Sequence, residues 1–329
     1  MTLNNGINWE EKITKENGYF SLNFDDIDIE QLFLLIRKDK NNLQSIFNII
    51  FNKYFAETGT FPRSQKTTKF IFRGQADNNW PLNPAYLRFI EEQKLEFCPR
   101  REYEYITDFL DACDLANVQL PSDSLQVRAL WKDLYEQKNP LVKNSWLTPE
   151  YFELLAFAQH YGLKTRLLDW SHNPLVALYF ACSGALRLAK VDSKFSLWIM
   201  CIDNIEDVKD LKVIEVPKAL NQHISFQQGC FTFVEQYPAE INNPKVQEIY
   251  KRLKPDIDLS TIKICNETDV LNKSRNDYLM LKININSTEA IKCFDYCNGL
   301  NINAATLYRG QKGAVLHSED IFAYKKKAH

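Results

Sequence analysis

The chain has 329 residues, 45% of them hydrophobic and 13% aromatic, with 40 basic residues against 42 acidic ones and a formal charge of −2. This is enough apolar material for a substantial core, as one large domain or a domain with an appendage. The charge balance argues against a general electrostatic nucleic-acid binder, a local basic groove apart, and the scarcity of Gly (10) and Pro (12) excludes a disordered or repetitive chain.

The start, MTLNNGINWEEK, has neither the basic nor the apolar region of a signal peptide, and no apolar run approaches the roughly eighteen residues of a membrane span. A cytoplasmic protein without membrane contact is expected. Residues 1 to about 60 read as mainly helical. Ile27, Ile29, Leu32, Leu34 and Leu35, then Leu43, Ile46, Phe47, Ile50, Phe51 and Tyr54, recur at helical spacing, with Asp25 and Asp26 as candidate caps. At Thr68 the pattern changes to TKFIFRG, a short β-favouring stretch closed by glycine. A loop rich in Asn, Asp and Pro follows over residues 76–84. Residues 100–137 return to helix, with Tyr105, Phe109, Ala112 and Leu115 as the apolar face, and Pro149–Tyr161 reads as another helix. Strands are expected at Phe195–Ile202, Lys212–Val216, Ile224–Val234 and Tyr278–Ile285. Residues 242–275 read as a polar surface excursion and 300–308 as a short helix. Helices crowd the first half and strands the second, which implies an α+β fold around a mixed or antiparallel sheet. The tetrapeptides FRGQ (72–75) and YRGQ (308–311) have unrelated flanks and are not taken as a repeat.

The eight cysteines are scattered. Cys182 and Cys201 follow the apolar strings ALYFA and LWIM, where a reduced cysteine acts as a small hydrophobe. Cys293 and Cys297 are four apart but lack a matching Cys or His pair, so no metal site is expected.

The chemistry concentrates in residues 157–181. Gln159, His160, Tyr161, Thr165, Arg166, Asp169, Trp170, Ser171 and His172 lie within fourteen residues that run into an apolar helix signal. Buried polar groups cost free energy unless paired, so this density reads as the lip of a site. Pro174 suits a helical first turn, with Ser171 and Asn173 as candidate caps. Upstream, Arg73 ends a strand and precedes Gly74. An arginine there offers a fork of donors for phosphate or carboxylate, and glycine lets backbone approach closely. A structural ion pair, from Asp169 to Arg73 or Arg166, is the competing reading; Trp170 as core filling and His172 as an exposed loop residue compete likewise. No phosphate-binding loop, GxGxxG, HExxH or GxSxG string occurs, which argues against P-loop NTPases, Rossmann dehydrogenases, zincins and α/β-hydrolases.

The ordered set FRGQ, Trp80-Pro-Leu with Arg88, QHYG, TRLLDW and NPLVALYFA resembles the FRG-domain family, well over residues 65–240 and weakly beyond. The chain then divides into an N-terminal helical segment (1–60) and an FRG domain (61–329, core 65–240) with a C-terminal extension. A second, weaker resemblance, to ADP-ribosyltransferases of the Arg-Ser-Glu class, implies a fold with a helical N-terminal part and a helical insertion, and a chemistry. Arg73-Gly74 is similar to that class's first element, and Leu168–Ser171 leading to Ala177–Phe180 is similar to the second. Gln227-Gln228-Gly229 stands where the third, a catalytic glutamate strand, would fall. The resemblance implies NAD as substrate, its pyrophosphate held by Arg73 with Gly74, Gln75, Arg88 and Arg166. Tyr161 or Trp170 would stack the nicotinamide, and Gln159, His160 and Thr165 would complete the binding wall. Asp169 and Ser171 would stand by the ribose. Gln227 or Gln228 offers a hydrogen bond but no charge, so Glu235 or Asp169 would have to supply it. The partners implied are a macromolecular acceptor, protein or nucleic acid, and an antitoxin or inhibitory partner, as for a bacterial toxin or antiphage-defence effector. Two further readings stand beside this one: a non-catalytic module recognising a nucleotide, nucleic acid or protein, and a hydrolase using His160 and Asp169.

Overall fold

The computed structural model describes residues 7–25, 27–37, 41–59, 67–136, 149–188, 190, 192–203, 205–217, 222–236, 244, 248 and 265–328. Most of the excursion expected at 242–275 lies outside them. The strands are β1 (Ile13–Lys15), β2 (Phe20–Asn23), β3 (Phe70–Gln75), β4 (Leu168–Ser171), β5 (Lys194–Cys201), β6 (Leu211–Ile214), β7 (Gly229–Val234) and β8 (Met280–Asn286). They form one sheet in the order β1-β2-β8-β5-β3-β4-β7-β6. β5 pairs antiparallel with both β3 and β8, β3 with β4 and β1 with β2; β2 and β8 run parallel. This is the α+β architecture with a mixed sheet. β5 lies at its centre, and seven of its eight residues are buried, so KFSLWIMC is a near-continuous apolar run without alternation.

The described helices are α1 (Trp9–Lys12), α2 (Ile29–Leu35), α3 (Asn41–Thr58), α4 (Ala85–Glu92), α5 (Pro99–Leu115), α6 (Leu125–Glu136), α7 (Phe152–His160), α8 (Pro174–Leu188), α9 (Gln222–Phe226), α10 (Glu267–Lys273), α11 (Ala290–Gly299), α12 (Ala304–Tyr308) and α13 (Gly310–Ala328). The chain divides into two compact units. One comprises Met1–Pro81, Asp169–Thr232 and Glu267–His329, the other Leu82–Leu168 and Phe233–Asn266.

In the first unit, residues expected to be helical form the β1–β2 hairpin. Its signal is Asn17-Gly18, with Gly18 at φ +87°, the left-handed region such a turn requires. α2 and α3 follow as the periodicity predicts, but the cap of α2 is Asp28, whose side chain accepts from Glu30 N. Ile224 falls in α9, and the strand begins only at Gly229, after Gln228 turns the chain at φ +48°. α8 packs on β3 where Gly74 leaves no side chain: a Cβ there would lie 1.9 Å from Ala177 O and 2.7 Å from Ala181 N.

In the second unit, Tyr86, Leu87, Ile90 and Phe97 form an apolar cluster against which Phe89 and Tyr105 pack. The buried face of α5 is Glu102, Ile106, Leu110 and Cys113, one position off the expected face, and Leu115 is 87% exposed. The reason is Glu102, a charged residue turned inward to meet Arg166.

Candidate functional site

The residues singled out in the sequence divide between the units. Arg73, Gly74, Gln75, Asp169, Trp170, Ser171, Gln227 and Gln228 belong to the first; Arg88, Gln159, His160, Tyr161, Thr165, Arg166 and Glu235 to the second.

In the first unit, strand register sets out a row of side chains. Arg73 lies opposite Trp198 across β3–β5, and Trp198 opposite Lys282 across β5–β8. Lys282 lies opposite Ser21, and Ser21 opposite Thr14. Directly opposed residues share a face, so one side of the sheet presents arginine, indole and lysine in sequence. The Lys282 ammonium lies 4.7 Å from the Trp198 ring and donates to Asn78 O. Burial pulls its pKa below the ordinary lysine value, against the charges of Glu16 and Asp77. Gln75, two residues from Arg73 and therefore on the same face, donates to Pro81 O at 3.0 Å and accepts from Trp198 Nε1 at 2.7 Å. Lys282 has no sequence signal as a site residue; only strand register brings it into line with Arg73.

Arg73 Nη1 donates to the main-chain oxygen of Asp169 at 2.7 Å and lies 3.9 Å from that residue's carboxylate. The Arg73 side chain is 17% exposed and that of Asp169 65%. Next on β4, Trp170 is buried and donates from Nε1 to Thr232 Oγ1 at 2.8 Å. The Thr232 hydroxyl in turn donates a hydrogen bond to Glu267 Oε1 at 2.5 Å. Glu267 is 1% exposed, and its second oxygen is buried without a hydrogen-bond partner among the described residues. Burial pushes its carboxyl up to about 7; the Thr232 bond, its own backbone amide and the charge of Arg73 oppose that rise. A carboxyl so placed exchanges its proton near neutral pH. Glu267 falls in the stretch read from sequence as a surface excursion, and nothing in its neighbours N-E-T-D marks it as buried.

Beyond β4, Ser171 Oγ donates to Gln227 O at 2.6 Å and accepts from Asn173 N at 2.9 Å. Asn173 Oδ1 then accepts from Leu175 N at 3.0 Å, a local cap for the start of α8. His172 N donates to Gln228 O at 2.9 Å. The main chain of Gln227-Gln228 therefore holds the end of β4, and the Gln228 side chain is exposed.

In the second unit, Arg166 is 1% exposed. Its Nε donates to Glu102 at 2.7 Å, and the guanidinium lies between the rings of Phe97 (5.0 Å) and Phe233 (4.7 Å). Thr165 Oγ1 donates to Gln159 Oε1 and accepts from Leu167 N. Tyr161 is 69% exposed, against Phe157 on one side and His160 on the other. Arg88 is exposed and donates to Asn83 O at 2.6 Å, while Glu235 is 6% exposed just past β7. A pocket at Leu110, Leu120, Val127, Trp131 and Tyr151 contains none of these residues.

All eight cysteines are thiols outside any disulfide, and all but Cys98 are buried. Among the described residues, no helix is long and apolar enough to cross a membrane. In comparison with known proteins, the family described as the FRG domain matches residues 68–189. No curated protein and no solved structure matches the chain.

Proposed function

The chain carries an FRG domain at residues 68–189, and from that premise we propose that it is an ADP-ribosyltransferase-like enzyme that consumes NAD. The observation that carries this reading is Arg73, held on the main chain of Asp169 in a row with Trp198 and Lys282, while its charge acts on the buried Glu267. Arg73, partly exposed at the end of that row, suits an anionic ligand such as the pyrophosphate of a dinucleotide, while Trp198 and Lys282 are buried beside it, 2% and 8% exposed. In the reaction, the bond between ribose C1′ and the nicotinamide nitrogen breaks and the electron pair leaves with nicotinamide. The acceptor, a macromolecular nucleophile or water, forms the new bond at C1′ and loses its proton to a carboxylate. In this reading Asp169 faces the positive ribose, supported by its exposure and its position beside Arg73. Asp169 also stands in for the charge that Gln227 and Gln228 lack, since Glu267, behind Trp170 and Thr232, is 1% exposed and favoured in its neutral form. The setting proposed is a bacterial toxin or antiphage-defence effector, restrained by an antitoxin or inhibitory partner.

A specific observation favours a second reading, a binding module without turnover. Ser171 Oγ is committed to Gln227 O and Glu267 is sealed at 1% exposure, so groups useful for chemistry serve to hold structure.

Incubation with NAD, followed by chromatography for nicotinamide, separates the two. The enzyme reading expects release that falls at least about a hundredfold in Arg73→Ala and Asp169→Asn, both variants keeping the wild-type circular dichroism. Dependence of the release on added lysate would identify a transferred acceptor. Nucleotide binding without release would establish the module, and neither binding nor release from folded protein would remove NAD from consideration.

A further inference from the structure

Three neighbouring strands of the sheet, β4, β7 and β6, bring together side chains that the preceding reaction does not use. His172 is the first residue beyond β4, Cys230 the second residue of β7, and Glu215 the first beyond β6. One ligand atom from each lies within 4.8 Å of the other two. His172 Nε2 and Glu215 Oε1 are 2.5 Å apart. The thiol forms the floor, since Cys230 is 1% exposed. The imidazole and carboxylate form the mouth, with side chains 33% and 51% exposed. The hydrogen bond from His172 N to Gln228 O fixes the backbone at one corner, and strand pairing fixes the other two.

A surface histidine–glutamate contact needs no third partner, and a buried cysteine needs no polar neighbour. Their convergence at one spot, with one sulfur, one nitrogen and one oxygen donor, is the composition of a transition-metal site. We propose that His172, Glu215 and Cys230 bind a zinc ion. Magnesium and calcium favour all-oxygen shells, whereas thiolate and imidazole together select zinc among the abundant divalent ions. Ligand atoms around tetrahedral zinc stand roughly 3–4 Å apart, which the observed spacing meets once the ion parts His172 from Glu215. Three protein ligands leave a fourth position, and the exposed mouth opens it to water. On the sequence alone the three residues are invisible as a set, separated by more than forty and then fifteen positions and matching no metal-ligand spacing.

The test uses the full chain, stripped with chelator and titrated with zinc by dialysis and metal analysis, then with cobalt by absorbance. The expected result is about one ion per chain and, with cobalt, a thiolate-to-metal charge-transfer band together with the strong visible bands of four-coordination. Cys230→Ser should abolish the charge-transfer band. His172→Gln and Glu215→Gln, which change the two side chains at the mouth, should each weaken zinc binding by at least about tenfold without altering circular dichroism. Cys98→Ser should leave every signal unchanged. Binding far below one equivalent would overturn the site, as would equal affinity in both mouth variants. So would a charge-transfer band that survives Cys230→Ser.

Discussion

Two buried ionisable side chains, Arg166 and Glu267, meet opposite ends. Arg166 spends its charge on Glu102 at 2.7 Å and on two aromatic rings. Glu267 is met by the hydroxyl of Thr232 and no countercharge at salt-bridge distance among the described residues, and burial holds its carboxyl near 7 instead of the ordinary 4.5. The folded chain therefore holds a proton on Glu267 that the unfolded chain has already released between pH 4.5 and about 7. Stability must fall as pH rises through that window, by on the order of 3 kcal/mol. Glu267→Gln keeps an acceptor for Thr232 and removes the ionisation. Urea unfolding should find the variant close to wild type at pH 4.5 and more stable by on the order of 3 kcal/mol at pH 8. Parallel pH profiles would mean that Glu267 titrates as an ordinary surface carboxylate. The sequence marks Arg73, Asp169, Trp170 and Ser171 because their motif sets dense polar groups against apolar neighbours. It could not mark Glu267 or Lys282, whose roles come from partners remote along the chain.

At the scale of elements, the contact of α8 with β3 decides what the FRGQ glycine is for. The close approach that Gly74 permits is to helix backbone, with Ala177 O at 1.9 Å from where a Cβ would stand. Backbone on both sides cannot yield as a flexible side chain would, so Gly74→Ala must push helix from strand. Chemical denaturation should show a loss of about 2 kcal/mol or more. Gly299→Ala, where an added Cβ meets nothing within 4 Å, should be neutral or slightly stabilising and serves as the control. Equal stability of the two variants would show that the sheet and helix slide apart at no cost. The same scale explains which elements were legible. β5, β8, α3 and α8 carry enough apolar residues for their pattern to show. The β1–β2 hairpin was announced by Asn17-Gly18 but hidden within a stretch of helical composition. α13 was not legible, because its buried positions hold Gly313 and Asp320 beside the partly buried Leu316 and Tyr324, while Val315 and Phe322 are 58% and 73% exposed, so apolar pattern does not mark its inward face.

For the whole molecule, the matched domain and the folded sheet do not coincide. Residues 68–189 contain β3 and β4, but β5 and β8, which complete the central pairing, begin at Lys194 and Met280. β3 pairs with β5 over all six of its residues, Phe70 through Gln75, and meets β4 at Phe72 and Ser171. Removing β5 would leave β3 with its hydrogen-bonding edge open and would expose Phe70, Ile71 and Phe72, each now at most 1% exposed. Ending the chain at 189 would also take away Trp198 with β5 and Lys282 with β8, so the row that begins at Arg73 would end there. A polypeptide of residues 68–189 should therefore fail to unfold cooperatively in urea and should elute as aggregate on size exclusion, while the full chain does neither. A monomeric fragment with a sharp urea transition would show that the FRG segment is self-sufficient and that β5 and β8 are additions to it. The failure expected here has one physical source: the segment that carries the motif supplies the arginine and the helix behind it, and the strands that hold that arginine in register, β5 and then β8, come from chain that follows the segment.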